Sequence, residues 1–267
     1  MRPHRFRIRH APSSAVTTVA VCLLGASLPA SAREVPRRDL PPLVADDACA
    51  QRDDVLIHGA RRSRDIALTF DACPTSHVPG FAPEIVDELA KDHVPATFFV
   101  SGRWAETHPE ALHRLASVPS FAIALHGYRH RRLTGASAAA ILAEIEDGRR
   151  ALEQLGVQPQ PFFRPPFGDH PPALAELARR AGVTPVLWDV APGDPSPAET
   201  AAALERDVLR QVRGGSIIVL HVNGRGVGTA AAVPNLVARL RERGFRFVTV
   251  ADLVQQCTPA TDVPAGQ

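Results

Sequence analysis

The sequence predicts a single α/β domain in which parallel strands alternate with helices, as a barrel or a doubly wound sheet. Two observations predict it. From Asp65 onward, short apolar runs alternate with amphipathic stretches, most of them ten or more residues long. Seven such runs follow in one unbroken series without an internal repeat, and 267 residues suit one large domain.

The elements follow in order. Residues 1–32 read as a secretory signal. Arg2, Arg5, Arg7 and Arg9 form a basic start, and Ala15 to Leu28 is apolar but too short to span a bilayer. Ala30-Ser31-Ala32 is the small-x-small pattern before a cleavage point. Residues 33–62 form an N-terminal extension, with Pro36, Pro41 and Pro42 keeping the chain extended and Val55-Leu56-Ile57 as a short strand. The main domain spans 63–255. Its strands are expected at Ile66–Phe70, Ala96–Val100, Phe121–Leu125, Phe162–Arg164, Thr184–Trp188, Ser216–Leu220 and Arg246–Val250. Helices are expected at Phe81–Asp92, Pro109–Ala116, Ser137–Leu155, Pro172–Ala181, Pro197–Val212 and Ala230–Arg243. Ser137 is a suitable N-cap, because its hydroxyl accepts from a free backbone N–H. The helix after it puts Ile141, Ile145, Leu152 and Leu155 on the buried face, with Glu144 and Glu146 elsewhere. Residues 256–267 form a frayed tail.

Composition excludes several classes. The chain is 45% hydrophobic and 22% charged, which fits a soluble globular protein and not a disordered chain or a multi-span membrane protein. The four leader arginines come out of 30 basic residues, leaving 26 against 28 acids. A mature chain with that balance lacks the basic face that nucleic acid requires. No stable membrane insertion is expected once the leader is removed, and the mature protein is expected outside the cytoplasm, periplasmic or extracellular.

Export permits disulfides. The mature chain keeps Cys49, Cys73 and Cys257, an odd number. Cys49 precedes the first strong strand and Cys257 follows the last, and chain ends often lie close together in a compact domain. The favoured pair is therefore Cys49–Cys257, with Cys73 free. Cys49–Cys73 is the alternative.

The functional signal is the placement of polar residues. Asp71, His126, Arg164, Asp194 and His221 fall at or just beyond the C-terminal ends of five expected strands. In a (β/α) barrel that end carries the active site. Asp71 suits a base or a metal ligand, and equally a turn former. His126 and His130 form an HxxxH pair, which on a helical turn would present both imidazoles to one divalent ion. Two surface histidines give the same pattern. Arg164 precedes Pro165-Pro166, a stiff turn that could hold a guanidinium against Asp71. His221 with Asp194 suits a histidine–carboxylate couple, or a core histidine bonded to backbone.

Together these segments resemble the polysaccharide deacetylases, carbohydrate esterase family 4, also called the NodB-homology domain. The likeness runs from about Asp65 to Leu253. It rests on Leu68-Thr69-Phe70-Asp71, His126 to His130, Arg164-Pro165-Pro166-Phe167-Gly168, Leu187 to Asp194, and Ile218-Val219-Leu220-His221. The resemblance implies a distorted (β/α)7 barrel. It implies removal of N-acetyl groups, or sometimes O-acetyl groups, from an acetylated polysaccharide such as peptidoglycan or an exopolysaccharide. It also implies roles. Asp71 would be the general base and Arg164 would orient it. His126 and His130 would hold a divalent metal, usually zinc-like. The Phe167 backbone N–H would serve the oxyanion, His221 would protonate the leaving amine, and Asp194 would tune His221.

The sequence departs from the family at Ala72, where a second Asp usually supplies the third metal ligand. Asp71 itself, Cys73 or His77 could replace it, or the metal could be weak or absent. Residues 71 and 73 share a side if the strand stays extended, and a thiolate suits zinc. Pro195 and Ala191 depart as well, which bears on the sugar groove. Trp104, Tyr128, Phe167 and Trp188 are the candidate aromatic platforms. Two other functions fit the same residues: a metal-independent hydrolase of a small amide, and an inactive carbohydrate-binding domain.

Overall fold

A computed structural model describes residues 49–257, except 53, 77–79 and 197. The expected leader, most of the N-terminal extension, His77 and the tail beyond residue 257 lie outside the described residues.

A short antiparallel pair, β1 (Ala50–Arg52) and β2 (Val55–His58), opens the described chain. The main sheet then contains β3 (Asp65–Ala72), β4 (Ala96–Val100), β5 (Phe121–Leu125), β6 (Phe162–Phe163), β7 (Thr184–Pro185), β8 (Ile217–His221) and β9 (Arg246–Val248). Its order is β7-β6-β5-β4-β3-β8, with β9 beside the start of β3, and every pair is parallel. The helices are α1 (Pro83–Lys91), α2 (Gly102–Thr107), α3 (Pro109–Ala116), α4 (Ala138–Gln154), α5 (Leu174–Arg180), α6 (Ala201–Gln211), α7 (Thr229–Glu242) and α8 (Val250–Gln255).

The sheet curls but does not close by a full ladder. After β7 the chain meets β2 through the bridge Leu56–Val186 and β8 through the bridge Val190–Ile218. Single bridges where a strand pair would stand make this a distorted (β/α)7 barrel.

Strand alternation sorts β3 onto two cores. Ile66, Leu68, Phe70 and Ala72 join the larger cluster with the helices. Ala67 joins the smaller cluster with Phe99, Ala124 and Ile217. All eight residues of β3 are buried, as a parallel strand covered on both faces must be. Full burial of a side chain such as Leu68 stabilises by about 1.5–3 kcal/mol.

Most expected elements are present, with shorter ends. The strand expected through Val250 stops at Val248. Thr249 and Asp252 form a capping box there, and the chain turns into α8, whose Val250 and Leu253 enter the smaller core. α2 escaped the sequence reading because it is six residues long and starts on a glycine. α6 starts at Ala201 and not Pro197, because the Thr200 hydroxyl caps it through Ala203 N. The Ser137 cap forms as expected, through Ala140 N. Glu144 departs from expectation: it is buried.

The Cys49–Cys257 disulfide joins the two ends of the described chain, with Cα atoms 5.3 Å apart, and Cys73 is free and buried. No helix among the described residues is long and apolar enough to cross a membrane.

Candidate active site

The C-terminal ends of β3, β5, β6 and β8 surround a cleft of about 380 Å³. It is lined by Asp71, Cys73, His126, His130, His221 and Asp194, among others. Arg164 lies beneath it, fully buried.

β3 and β8 pair in register so that Asp71 sits opposite His221. Asp71 is 4% exposed, and its Oδ1 accepts from Arg164 Nη1 at 2.7 Å. The same Arg164 nitrogen donates to Thr69 Oγ1, and Nη2 donates to the Leu187 carbonyl. The guanidinium lies 3.9 Å over the Phe99 ring and 5.4 Å from that of Trp188. A charge so enclosed holds one position. Burial pushes the Asp71 carboxyl up, but Arg164, then His126 and His221, outweigh it and hold it below its ordinary value.

His126 Nδ1 faces the Arg164 carbonyl at 2.8 Å, so Nδ1–H donates there. That leaves Nε2 toward the cleft, 3.5 Å from Asp71 Oδ2. Burial alone would lower the His126 pKa; Asp71 and then Cys73 raise it. The turn from His126 to His130 is not helical, so the pair does not meet by i,i+4 spacing on a helix. Gly127 (φ 75°) and His130 (φ 58°) bend it through left-handed backbone instead. The bend still brings the two rings to 4.8 Å.

Cys73 completes this group. Its Sγ and one nitrogen from each of His126 and His130 all lie within 4.8 Å of one another. Burial would push the Cys73 thiol up, but His126, His130 and His221 hold it well below its ordinary range. Two imidazoles and a thiolate fit a borderline-soft divalent ion such as zinc, with a coordination position left open. Ala72 is buried among the apolar side chains under the helices.

On the other wall, His221 Nδ1 is 2.8 Å from Asp194 Oδ1. Asp194 Oδ2 accepts from His221 N at 2.7 Å and Thr229 Oγ1 at 2.9 Å. Burial alone would lower the His221 pKa. The hydrogen bonds to Asp194 and Cys73, with the Asp194 and Asp71 charges, raise it to about 10.

Phe167 departs from regular geometry as well, at φ 62°. Its ring is half exposed and packs 4.4 Å from the His130 ring. Its backbone N–H has no acceptor among the described residues. Left-handed backbone at a non-glycine residue is strained, and such strain persists where a site requires it.

Three supporting residues escaped the sequence reading. Glu144 on α4 accepts from the amides of Tyr128 and Arg129 at 2.9 Å each, fixing the histidine turn. Gly148, one turn along α4, lets the helix approach: a Cβ there would lie 2.8 Å from the Gly127 carbonyl oxygen. The four-residue spacing of Glu144 and Gly148 was the available signal. Thr229, at the start of α7, completes the shell of Asp194. Of the candidate aromatic platforms, Phe167 and Trp188 line the cleft and Tyr128 lines its neighbour. Trp104 does not: it is fully buried, with Nε1 donating to the Gly80 carbonyl.

Comparison with known proteins identifies the family. Residues 58–186 match the family model described as polysaccharide deacetylase. A chitooligosaccharide deacetylase of Sinorhizobium fredii is 31% identical over 193 residues, covering 67% of this chain and 87% of that protein. A peptidoglycan-N-acetylglucosamine deacetylase of Bacillus cereus is 29% identical over 195 residues, covering 71% and 88%. Among solved structures, Bacillus subtilis PdaA, a family 4 carbohydrate esterase, superposes with a TM-score of 0.69 at 26% identity, covering 77% of this chain and 87% of that one. Fold, ordered motifs and relatives agree, and the chain belongs to the polysaccharide deacetylase family.

Proposed function

We propose that this protein is an exported hydrolase that removes acetyl groups from the amino sugars of a polysaccharide. The carrying observation is the pairing of a base and an acid across one cleft. Asp71, ionised and fixed by Arg164, stands opposite His221, protonated and fixed by Asp194.

The roles follow from the chemistry. Asp71 accepts a proton from the attacking water. The Phe167 N–H stabilises the oxygen that gains charge as the acetyl carbonyl is attacked. His221 gives its proton to the departing sugar nitrogen, the C–N bond breaks, and acetate and a free amine result. A protonated His221 favours an amide over an ester substrate, because an amine leaves as a very poor anion unless it is protonated. Cys73, His126 and His130 would hold a divalent ion, zinc by the donor set. Bound there, the ion would supply Lewis-acid polarisation of water and carbonyl. Cys73 thus takes the place of the ligand that Ala72 lacks. This donor cluster favours the metal-dependent reading over a metal-independent small-amide hydrolase. The base and acid together favour an enzyme over a binding module. The Cys49–Cys257 disulfide and the leader-like residues 1–32 support export.

The test is acetate release from N-acetylglucosamine oligomers and peptidoglycan by the zinc-loaded protein. Asp71→Asn and His221→Ala are expected to lower turnover by roughly 100-fold or more, with the folded spectrum retained. Near-normal turnover in either variant would overturn the assignment.

A further inference from the structure

The charge around the cleft points to its substrate. Asp71 and Asp194 are the carboxylates lining it, and both are already held, by Arg164 and by His221 with Thr229. Two arginines reach the same cleft from opposite sides. Arg132 comes from the loop after β5, and Arg225 from the loop after β8. Arg225 makes no ion pair among the described residues. The Arg132 guanidinium lies 4.7 Å over the exposed Phe167 ring. Asp169 also feels the charge of Arg132, but its oxygens are taken by Leu133 N, Thr134 N and Thr134 Oγ1.

Arg132 also lines an adjoining cleft of about 580 Å³, together with exposed Arg129 and Arg131. The acids on that wall are engaged too: Glu144 by backbone amides, and Asp147 by Arg150. Residues 33–267 taken together carry 26 basic and 28 acidic residues once the four leader arginines are set aside from the 30 and 28 of the whole, so four arginines on these two clefts are a local concentration and not a share of a general positive charge. These guanidiniums therefore share their clefts only with carboxylates that already have partners. A neutral acetylated glycan has no group that needs four guanidiniums. An anionic one gains charge-assisted, bidentate contacts from them.

We propose that the polymer is acidic. An anionic group on the acetylated sugar or its neighbour is read by Arg132 and Arg225, and anionic groups further along the chain by Arg129 and Arg131. This rests on the deacetylase reading of the same cleft. The shared chemistry is a carboxylate or phosphate oxygen pair presented to a planar guanidinium.

The experiment compares N-acetylated glycan strands carrying muramic carboxylates with the same strands after reduction of those carboxylates to alcohols. A phosphate-bearing N-acetylated polymer forms the third arm. Acetate release gives kcat/KM, and affinity electrophoresis gives binding independently of turnover. The expected result is a preference of about ten-fold or more for a charged polymer over the reduced strands, carried in KM and lost as salt rises. Which charged polymer leads assigns carboxylate or phosphate. Arg132→Ala and Arg225→Ala should each shrink the preference, and Arg225→Lys should restore part of it. Equal kcat/KM and equal binding on native and reduced strands, with the phosphate polymer no better, would overturn the proposal while leaving the deacetylase reading in place. A binding preference without acetate release from any polymer would support acidic recognition and overturn the deacetylase reading.

Discussion

Ala72 ends β3, and Cys73, the next residue, turns to the opposite side of the chain. Ala72 packs into the apolar layer under the helices, and Cys73 carries its sulfur to His126 and His130. In the proposed site, the alternation of an extended chain would move the missing ligand one residue along and change it from oxygen to sulfur.

That relationship predicts a spectrum. Cobalt(II) substituted into the protein should show a near-ultraviolet sulfur-to-metal charge-transfer band. Cys73→Ser should abolish the band and weaken zinc binding by roughly ten-fold or more. His126→Ala should remove the ion altogether. A band that survives Cys73→Ser would take the thiolate out of the site.

Arg164 is predicted to support the fold as much as the chemistry. It is 0% exposed, and its partner Asp71 is 4% exposed. Arg164→Ala would leave a buried carboxylate without its countercharge, at a cost of roughly 3–5 kcal/mol. Arg164→Lys should recover part of that stability but little turnover, since an ammonium cannot bond Asp71 and Thr69 while stacking on Phe99. Urea unfolding alongside acetate release separates the two effects.

The His221–Asp194 couple sets a pH limit. The folded pKa of about 10 lies above the ordinary value of 6.5, so the protonated form is favoured by folding. The stability it contributes is fully present below about pH 6.5 and is lost as pH rises through about 10. In the proposed mechanism His221 must be protonated to act, so activity should fall over the same upper range. Asp194→Asn removes the main raising partner and should move the basic limb of the kcat/KM profile to lower pH. An unmoved limb would assign that limb to another group.

The disulfide should be separable from the site. Cys257→Ser is predicted to destabilise the chain by roughly 2–4 kcal/mol, by freeing a long loop in the unfolded state. The cobalt band should persist, because Cys73 is outside the disulfide. Loss of the band in Cys257→Ser at temperatures where the chain stays folded would contradict this division.

The sheet was legible because apolar runs such as Ala96–Val100 and Phe121–Leu125 are continuous where a parallel strand is covered on both faces. The positions of Asp71, His126, Arg164, Asp194 and His221 were legible because each follows such a run. What was hidden depended on tertiary contact. Trp104 read as a sugar platform, yet its indole N–H has a partner only because Gly80 folds over it. The histidine pair was linked to one ion only on the condition of a helical turn, because nothing local reveals that His130 adopts left-handed backbone. Glu144 read as a solvated charge, since its partners are backbone amides that carry no signature in sequence.

Glu144 accordingly carries the last prediction. Its carboxylate holds the turn between the two histidines and touches neither of them. Glu144→Ala would leave the Tyr128 and Arg129 amides without their acceptor, at a cost of roughly 2–4 kcal/mol. The turn would loosen, and metal affinity should fall by roughly 10- to 100-fold, the usual effect of losing an outer partner of a ligand. The cobalt band at saturation should keep its intensity, because Cys73 still binds. Glu144→Gln keeps one acceptor oxygen and should fall between the two. A purely structural glutamate would lower the melting temperature and leave metal affinity unchanged. Affinity and spectrum measured on one sample distinguish a residue that positions the histidines from one that only stabilises α4.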